Sequence, residues 1–220
     1  MLSSCDKNEG NDCTTNKAKE TVTEVQSTLT RSEMLNVQKS LVGRFYGSHR
    51  RAEEMLSESD AQEMLTPLVE DGTAIVGQIL EAAKVGQLEI TTQEVLQLET
   101  MTGEQLAELS LVVYNLNDPF MMDGLFSYIQ QEIDTNAIPI SDMPGAYTKK
   151  ELVDCLTVAF GLGSISGLYS YIDGTYTIMT ANTAFQIARG FIGRTMGWIG
   201  LAYAAYEYGN CLHSKKKGNR

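Results

Sequence analysis

Four cysteines, at 5, 13, 155 and 211, and two histidines, His49 and His213, are the side chains of this 220-residue chain best suited to bind a metal or exchange electrons. A structural zinc site draws its ligands from short, paired spacings, and neither the cysteines nor the histidines have them. Four cysteines allow three pairings, so disulfide formation is the chemistry on offer, and no metal or cofactor is expected. "GLGSISG" at 161–167 looks like a phosphate loop, but its third glycine falls one residue late for G-x-G-x-x-G and no strand precedes it. Ser164 and Ser166 miss the centre of a G-x-S-x-G nucleophile motif. His49, in "YGSHRRAEE", would need a carboxylate to act as a general base; beside two arginines it reads as a solvated surface residue. The adjacent pairs Glu53 with Glu54, and Glu70 with Asp71, have no recognisable partner. No nucleophile, base and orienting group converge, so the chain is not expected to be an enzyme.

The elements that carry these residues differ in charge along the chain. Residues 1–154 hold 26 acidic and 11 basic side chains, whereas 155–220 hold 2 and 6. With a net charge of -11 the chain lacks the basic footprint of a nucleic-acid partner. Residues 5–28 are polar and nearly devoid of apolar groups, as a flexible tether would be.

From residue 28 onward the pattern is helical. "RSEMLNVQKSLVGRFY" sets Met34, Val37, Leu41 and Phe45 on one face. Ser59 with Gln62 forms a capping-box pattern. Pro67 following Thr66 suggests a first-turn proline, Leu68, Ile75, Ile79 and Ala82 a buried stripe, and Gly86 a stop. Two short helices follow, each opened by a capping box: Thr91 with Glu94, and Thr102 with Gln105. The second ends at Asn117-Asp118-Pro119, and another helix is expected over "MMDGLFSYIQQEI". Residues 134–147 contain two of the four prolines and no periodicity, which marks a boundary. Thr148 and Glu151 cap the next helix, which carries Cys155.

Small residues recur beyond that point. Ala159, Gly163, Gly167, Ser170 and Gly174 lie three or four apart, as do Gly190, Gly193, Gly197, Gly200 and Ala204. Each glycine inside a helix costs roughly 0.5–1 kcal/mol relative to alanine. Two such faces suggest two helices whose backbones approach closely along a glycine seam, with dispersion contacts offsetting that cost. An antiparallel hairpin of this kind brings Cys155 and Cys211 together. Their disulfide would close a loop of roughly 57 residues and stabilise the fold by about 4 kcal/mol in the entropic account. The uncharged run 156–172 is rich in Ser, Gly and Tyr and falls short of the ~20 apolar residues of a membrane span. A packed hairpin is the expected form.

Leu2-Ser3-Ser4-Cys5 resembles a bacterial lipobox, and the Asp6-Lys7-Asn8-Glu9 after it is similar to the head of Bacteroidota-type surface lipoproteins. The resemblance implies lipidation of Cys5, a membrane partner reached through that anchor, and export to an outer-membrane or cell-surface site. No basic and apolar leader precedes Leu2, so it also implies a leader already removed or a start placed further upstream. Export supplies the oxidising compartment that a Cys155–Cys211 bridge requires. Without the lipobox, Cys5 and Cys13 are a local disulfide or two idle thiols, and the chain is cytoplasmic. The glycine-rich, cysteine-bracketed end with its basic Lys215, Lys216, Lys217 and Arg220 is loosely similar to bacteriocin-like peptides. "ELVDCL…GWIGLAYAAYEYGNCL" resembles uncharacterised Bacteroidota proteins, which implies no activity.

The expected architecture is all-α: a tether at 1–28, an acidic helical bundle at 29–145, a disulfide-closed hairpin at 146–212, and a basic tail at 213–220. The expected function is that of a non-enzymatic surface lipoprotein that binds a protein or membrane surface or serves as a structural module. The alternative is a precursor whose acidic part masks a membrane-active C-terminal domain.

Overall fold

The computed structural model describes residues 23–50, 56–118, 148–162, 179–194 and 196–218. Seven helices account for most of them: α1 (Arg31–Arg50), α2 (Glu58–Lys84), α3 (Thr92–Glu99), α4 (Gly103–Asn117), α5 (Lys149–Phe160), α6 (Ala181–Phe191) and α7 (Trp198–Gly218). The fold is all-α, with no strand among the described residues; one antiparallel bridge joins Glu24 to Thr180. The boundary at 134–147 and the helix expected over "MMDGLFSYIQQEI" lie outside the described residues.

Local chemistry sets most helix starts. Thr91, Thr102 and Thr148 each accept the third helical N–H, while Glu94, Gln105 and Glu151 return to the cap N–H, closing the three capping boxes. Thr30 and Glu33 make a fourth such exchange at the start of α1, through bonds of 2.8 and 3.3 Å. At α2 the cap is Ser57, bonded to the Asp60 N–H at 3.1 Å, and not Ser59. Pro67 lies within α2 rather than at its first turn. Proline removes the hydrogen bond to the carbonyl four residues back, here that of exposed Glu63. Ala61 and Leu65 are wholly buried upstream of it, so core contact carries the helix across the defect.

The innermost helix is α4, buried without interruption from Ala107 to Leu116 and packed against α2, α5, α6 and α7. A helix enclosed all round reads as a nearly continuous apolar run, and "LAELSLVVYNL" does so. Its closest approach is to α2: a Cβ built on Gly72 would stand 2.1 Å from the Leu106 carbonyl oxygen. The expected stripe residues Met34, Val37, Leu41, Leu68, Ile75, Ile79 and Ala82 are core, while Phe45 is half-buried and packs against it. That core is one cluster, from Val25 and Met34 to Tyr208 and Leu212, so the acidic helices and the C-terminal hairpin share their interior.

The described parts of both segments assigned as tails, 23–28 and 213–218, are structured. Residues 23–28 form a strap over α2, α4 and α6: the Val25 N–H donates to the Met179 carbonyl at 2.8 Å, the Ala181 N–H donates to that of Thr23 at 3.0 Å, and Val25 is wholly buried. The polar strap is held by side chains more than by apolar area. Wholly enclosed Asp71 accepts from Ser27 Oγ (2.9 Å), the Thr28 N–H (2.5 Å), Thr28 Oγ1 (2.8 Å) and Ser110 Oγ (2.7 Å). Gln78 exchanges two bonds with the Gln26 backbone, at 2.9 and 2.8 Å. At the other end α7 runs through residues 213–218, and Lys215 reaches Asp154 of α5 at 4.0 Å.

Candidate functional site

The C-terminal unit, to which the sequence assigns the disulfide and the glycines, places its residues as follows. Cys155 and Cys211 are bonded, with Cα atoms 5.6 Å apart. Asp154 faces Lys215, while at the far end Arg194 donates to the Phe160 carbonyl, so α5 and α7 run antiparallel. The hairpin and its bridge are present, but its arms are shorter than the small-residue periodicity implied. Gly161 turns left-handed (φ 64°) and ends α5, with the Leu162 N–H returning to the Thr157 carbonyl at 3.2 Å. Gly163, Gly167 and Gly174 lie outside the described residues, as does Cys5.

The second glycine series is not one helical face. Gly190 is in the last turn of α6, Gly193 (φ 79°) ends that helix, Gly197 lies in the bend before α7, and Gly200 is in the first turn of α7. Gly193, Gly197 and Gly200 are exposed. A Cβ on Gly193 would meet nothing within 4 Å, and one on Gly200 would meet the Met196 side chain of its own segment. These three glycines form no packing seam. Only Gly200 of the three lies inside a helix; a Cβ on Gly197 would stand 3.2 Å from Glu58 Oε1, and Gly193 supplies a conformation open to few other residues. Small residues do line the buried faces, but they are alanines: Ala184 and Ala188 of α6, and Ala202, Ala204 and Ala205 of α7.

Side chains of α2 and α4 and a backbone carbonyl of α5 tie the bend between α6 and α7. Gln105 of α4 donates from Nε2 to the Phe191 and Arg194 carbonyls, each at 3.0 Å. Glu58 of α2 accepts the Trp198 N–H at 2.8 Å and caps α7 from a distance. Arg194 donates through Nη2 to the Phe160 carbonyl, sets its guanidinium 5.6 Å from the centre of the Phe191 ring, and brings Nη1 to 3.3 Å from Glu108 Oε1. The Glu108 side chain is 2% exposed against 29% for Arg194. Although the two charges are in contact, Oε1 accepts no aligned hydrogen bond. Burial raises the Glu108 pKa from 4.5 to about 7, against the opposing pull of the Arg194 charge.

Sequence reasoning passed over Gln105, Glu108, Arg194, Asp71 and Gly72 as tertiary contacts. A signal existed for two of them: Glu108 is a lone carboxylate in an apolar run, and Arg194 a lone cation among glycines. His49 and His213 fall outside the residues whose side chains are described. Among the described residues no group of His, Cys, Asp and Glu has the arrangement of a metal site. The clefts beside the strap and along α1 and α2, of about 260, 390 and 530 Å³, contain neither histidine nor cysteine. No described helix is long and apolar enough to cross a membrane. No family model, curated protein or solved structure matches the chain.

Proposed function

We propose that the chain is a non-enzymatic, exported bacterial lipoprotein, anchored through Cys5 and presenting a helical module for binding or structural support at the cell surface. The observation that carries this reading is the Cys155–Cys211 bridge. Such bonds persist in oxidising compartments and are rare in the reducing cytosol. The lipobox-like Leu2-Ser3-Ser4-Cys5 supplies a route to such a compartment. One attachment signal of this kind requires no membrane-spanning helix.

Burial of the described hairpin also supports a folded module over a released peptide. Phe160, Phe191, Leu201, Tyr208 and Leu212 are all enclosed, and α7 packs on α1, α2 and α4. The alternative, a precursor of a membrane-active domain, draws on one feature. Ile199 and Tyr203, 40% and 50% exposed, flank Gly200 on the outer face of α7.

Intact and peptide mass measurement on the non-reduced protein, expressed from its native upstream start, tests the proposal. A diacyl or triacyl adduct on Cys5 together with a bridged 155–211 peptide pair is the expected result. An unmodified Cys5 with free thiols at 155 and 211 refutes it. Release of a C-terminal fragment that leaks dye from vesicles would establish the precursor reading instead.

A further inference from the structure

The bend between α6 and α7 is pinned by an unusual contact. Glu108 is enclosed on the central helix, and the charge of Arg194 compensates it without an aligned hydrogen bond. The same arginine closes over the C-terminal end of α5 through the Phe160 carbonyl. Its guanidinium lies 5.6 Å from the centre of the wholly buried Phe191 ring. We propose that Glu108 and Arg194 form a proton-operated latch on the α6–α7 bend, whose release uncovers the Phe191 ring and the C-terminal end of α5.

The physical argument is one of linkage. A buried carboxylate facing a cation binds its proton less tightly when the cation is seated than when it has swung away. Protonation therefore favours the form in which Arg194 leaves. Arg194 is already about a third exposed, so its guanidinium reaches water by a local motion while Glu108 stays enclosed as a neutral acid. The Glu108 pKa of about 7 puts this exchange near neutral pH.

Neighbouring charges are committed elsewhere. Asp71 of α2 is bonded to Ser27, Thr28 and Ser110, and Glu58 of α2 caps α7. Arg189 of α6 pairs with Glu94 of α3, and Asp154 of α5 with Lys215 of α7. Glu151 of α5 closes its own capping box, and Glu207 of α7 bonds Tyr203. Of these charges, Arg194 is the one that acts on Glu108. The latch holds whether or not Cys5 is lipidated.

Hydrogen exchange of the full, disulfide-bonded chain between pH 8 and pH 5.5, corrected for intrinsic rates, is the test. The amides to follow are Ile192, Arg194 and Trp198, which bond Ala188, Phe191 and Glu58. Their protection should fall by about tenfold as pH drops through about 7, while amides in the middle of α2 and α4 keep theirs. Glu108→Gln should show the low protection at every pH. Should that variant fail to fold, Arg194→Met serves in its place. It should show low, pH-independent protection at the bend and an upward shift in the Glu108 carboxyl midpoint, read by carbon-detected NMR. Wild-type protection that is flat with pH, a pH response retained in Glu108→Gln, or an unmoved Glu108 midpoint in Arg194→Met would each overturn the latch.

Discussion

Gly72→Ala isolates the contact that sets the spacing of the two central helices. On propensity alone the change should stabilise, because alanine in a helix interior is favoured over glycine by roughly 1 kcal/mol. Packing opposes it. The new Cβ would lie 2.1 Å from the Leu106 carbonyl oxygen, 2.6 Å from its carbonyl carbon and 2.9 Å from its Cα. Ordinary contact begins at 3.4 Å, so α2 and α4 must separate locally by roughly 1.3 Å in a core packed like a solid. Overpacking costs about 1–3 kcal/mol where side chains absorb the strain; here the obstacle is backbone, so the upper end applies. The expected net loss is about 2 kcal/mol, or roughly 4–8 °C in Tm for a chain of this size. Gly77→Ala is the matched control. Gly77 lies in the same helix and is exposed, with nothing within 4 Å of its would-be Cβ; this change should stabilise by about 0.5–1 kcal/mol. Urea and thermal unfolding of both variants, with the disulfide intact, decide the matter. If Gly72→Ala matches or exceeds wild type, the close approach of α2 and α4 is wrong.

Replacing both Cys155 and Cys211 with serine should lower unfolding free energy by about 4 kcal/mol in the loop-entropy account; equal urea midpoints for the oxidised protein and the variant would contradict the bridge between α5 and α7. Asp71→Ala leaves wholly buried Ser110 without its acceptor and frees the strap, so a loss of about 3 kcal/mol is expected. Exchange at the Val25 and Ala181 amides should then rise toward unprotected rates, and retained protection would count against Asp71 as the fastening. Because Glu108 binds its proton more tightly in the folded state, the stability it contributes is fully present below about pH 4.5 and is lost as pH rises through about 7. The difference in stability between wild type and Glu108→Gln should therefore decline across that window, and a difference independent of pH would show that the carboxyl titrates normally. Thr91→Ala removes one half of a capping box and should cost about 1 kcal/mol, read as a lower urea midpoint with an unchanged slope.

What the sequence determined by itself is the part of the structure encoded over a few residues. The pairs Thr91–Glu94, Thr102–Gln105 and Thr148–Glu151 begin helices because both partners of each exchange lie within one turn. Met34, Val37 and Leu41, and Leu68, Ile75 and Ile79, mark buried faces because helical spacing sets their direction whatever lies opposite. The pairing of Cys155 with Cys211 also followed, because antiparallel arms bring those positions together even when their lengths are misjudged. Only the tertiary structure decided the roles of the glycines and the buried charges. A three-and-four spacing of glycines is compatible with a seam, with a bend or with exposure, since a residue without a side chain leaves no sign of which face it occupies. Gly72, outside any such series, is the glycine whose absent side chain lets two helices meet, because Leu106 stands opposite it. Pro67 stays inside α2 because the turn before it is buried by distant helices, and Glu108 and Asp71 are enclosed because α4 is central. Each of these depends on residues tens of positions away, which no local pattern records.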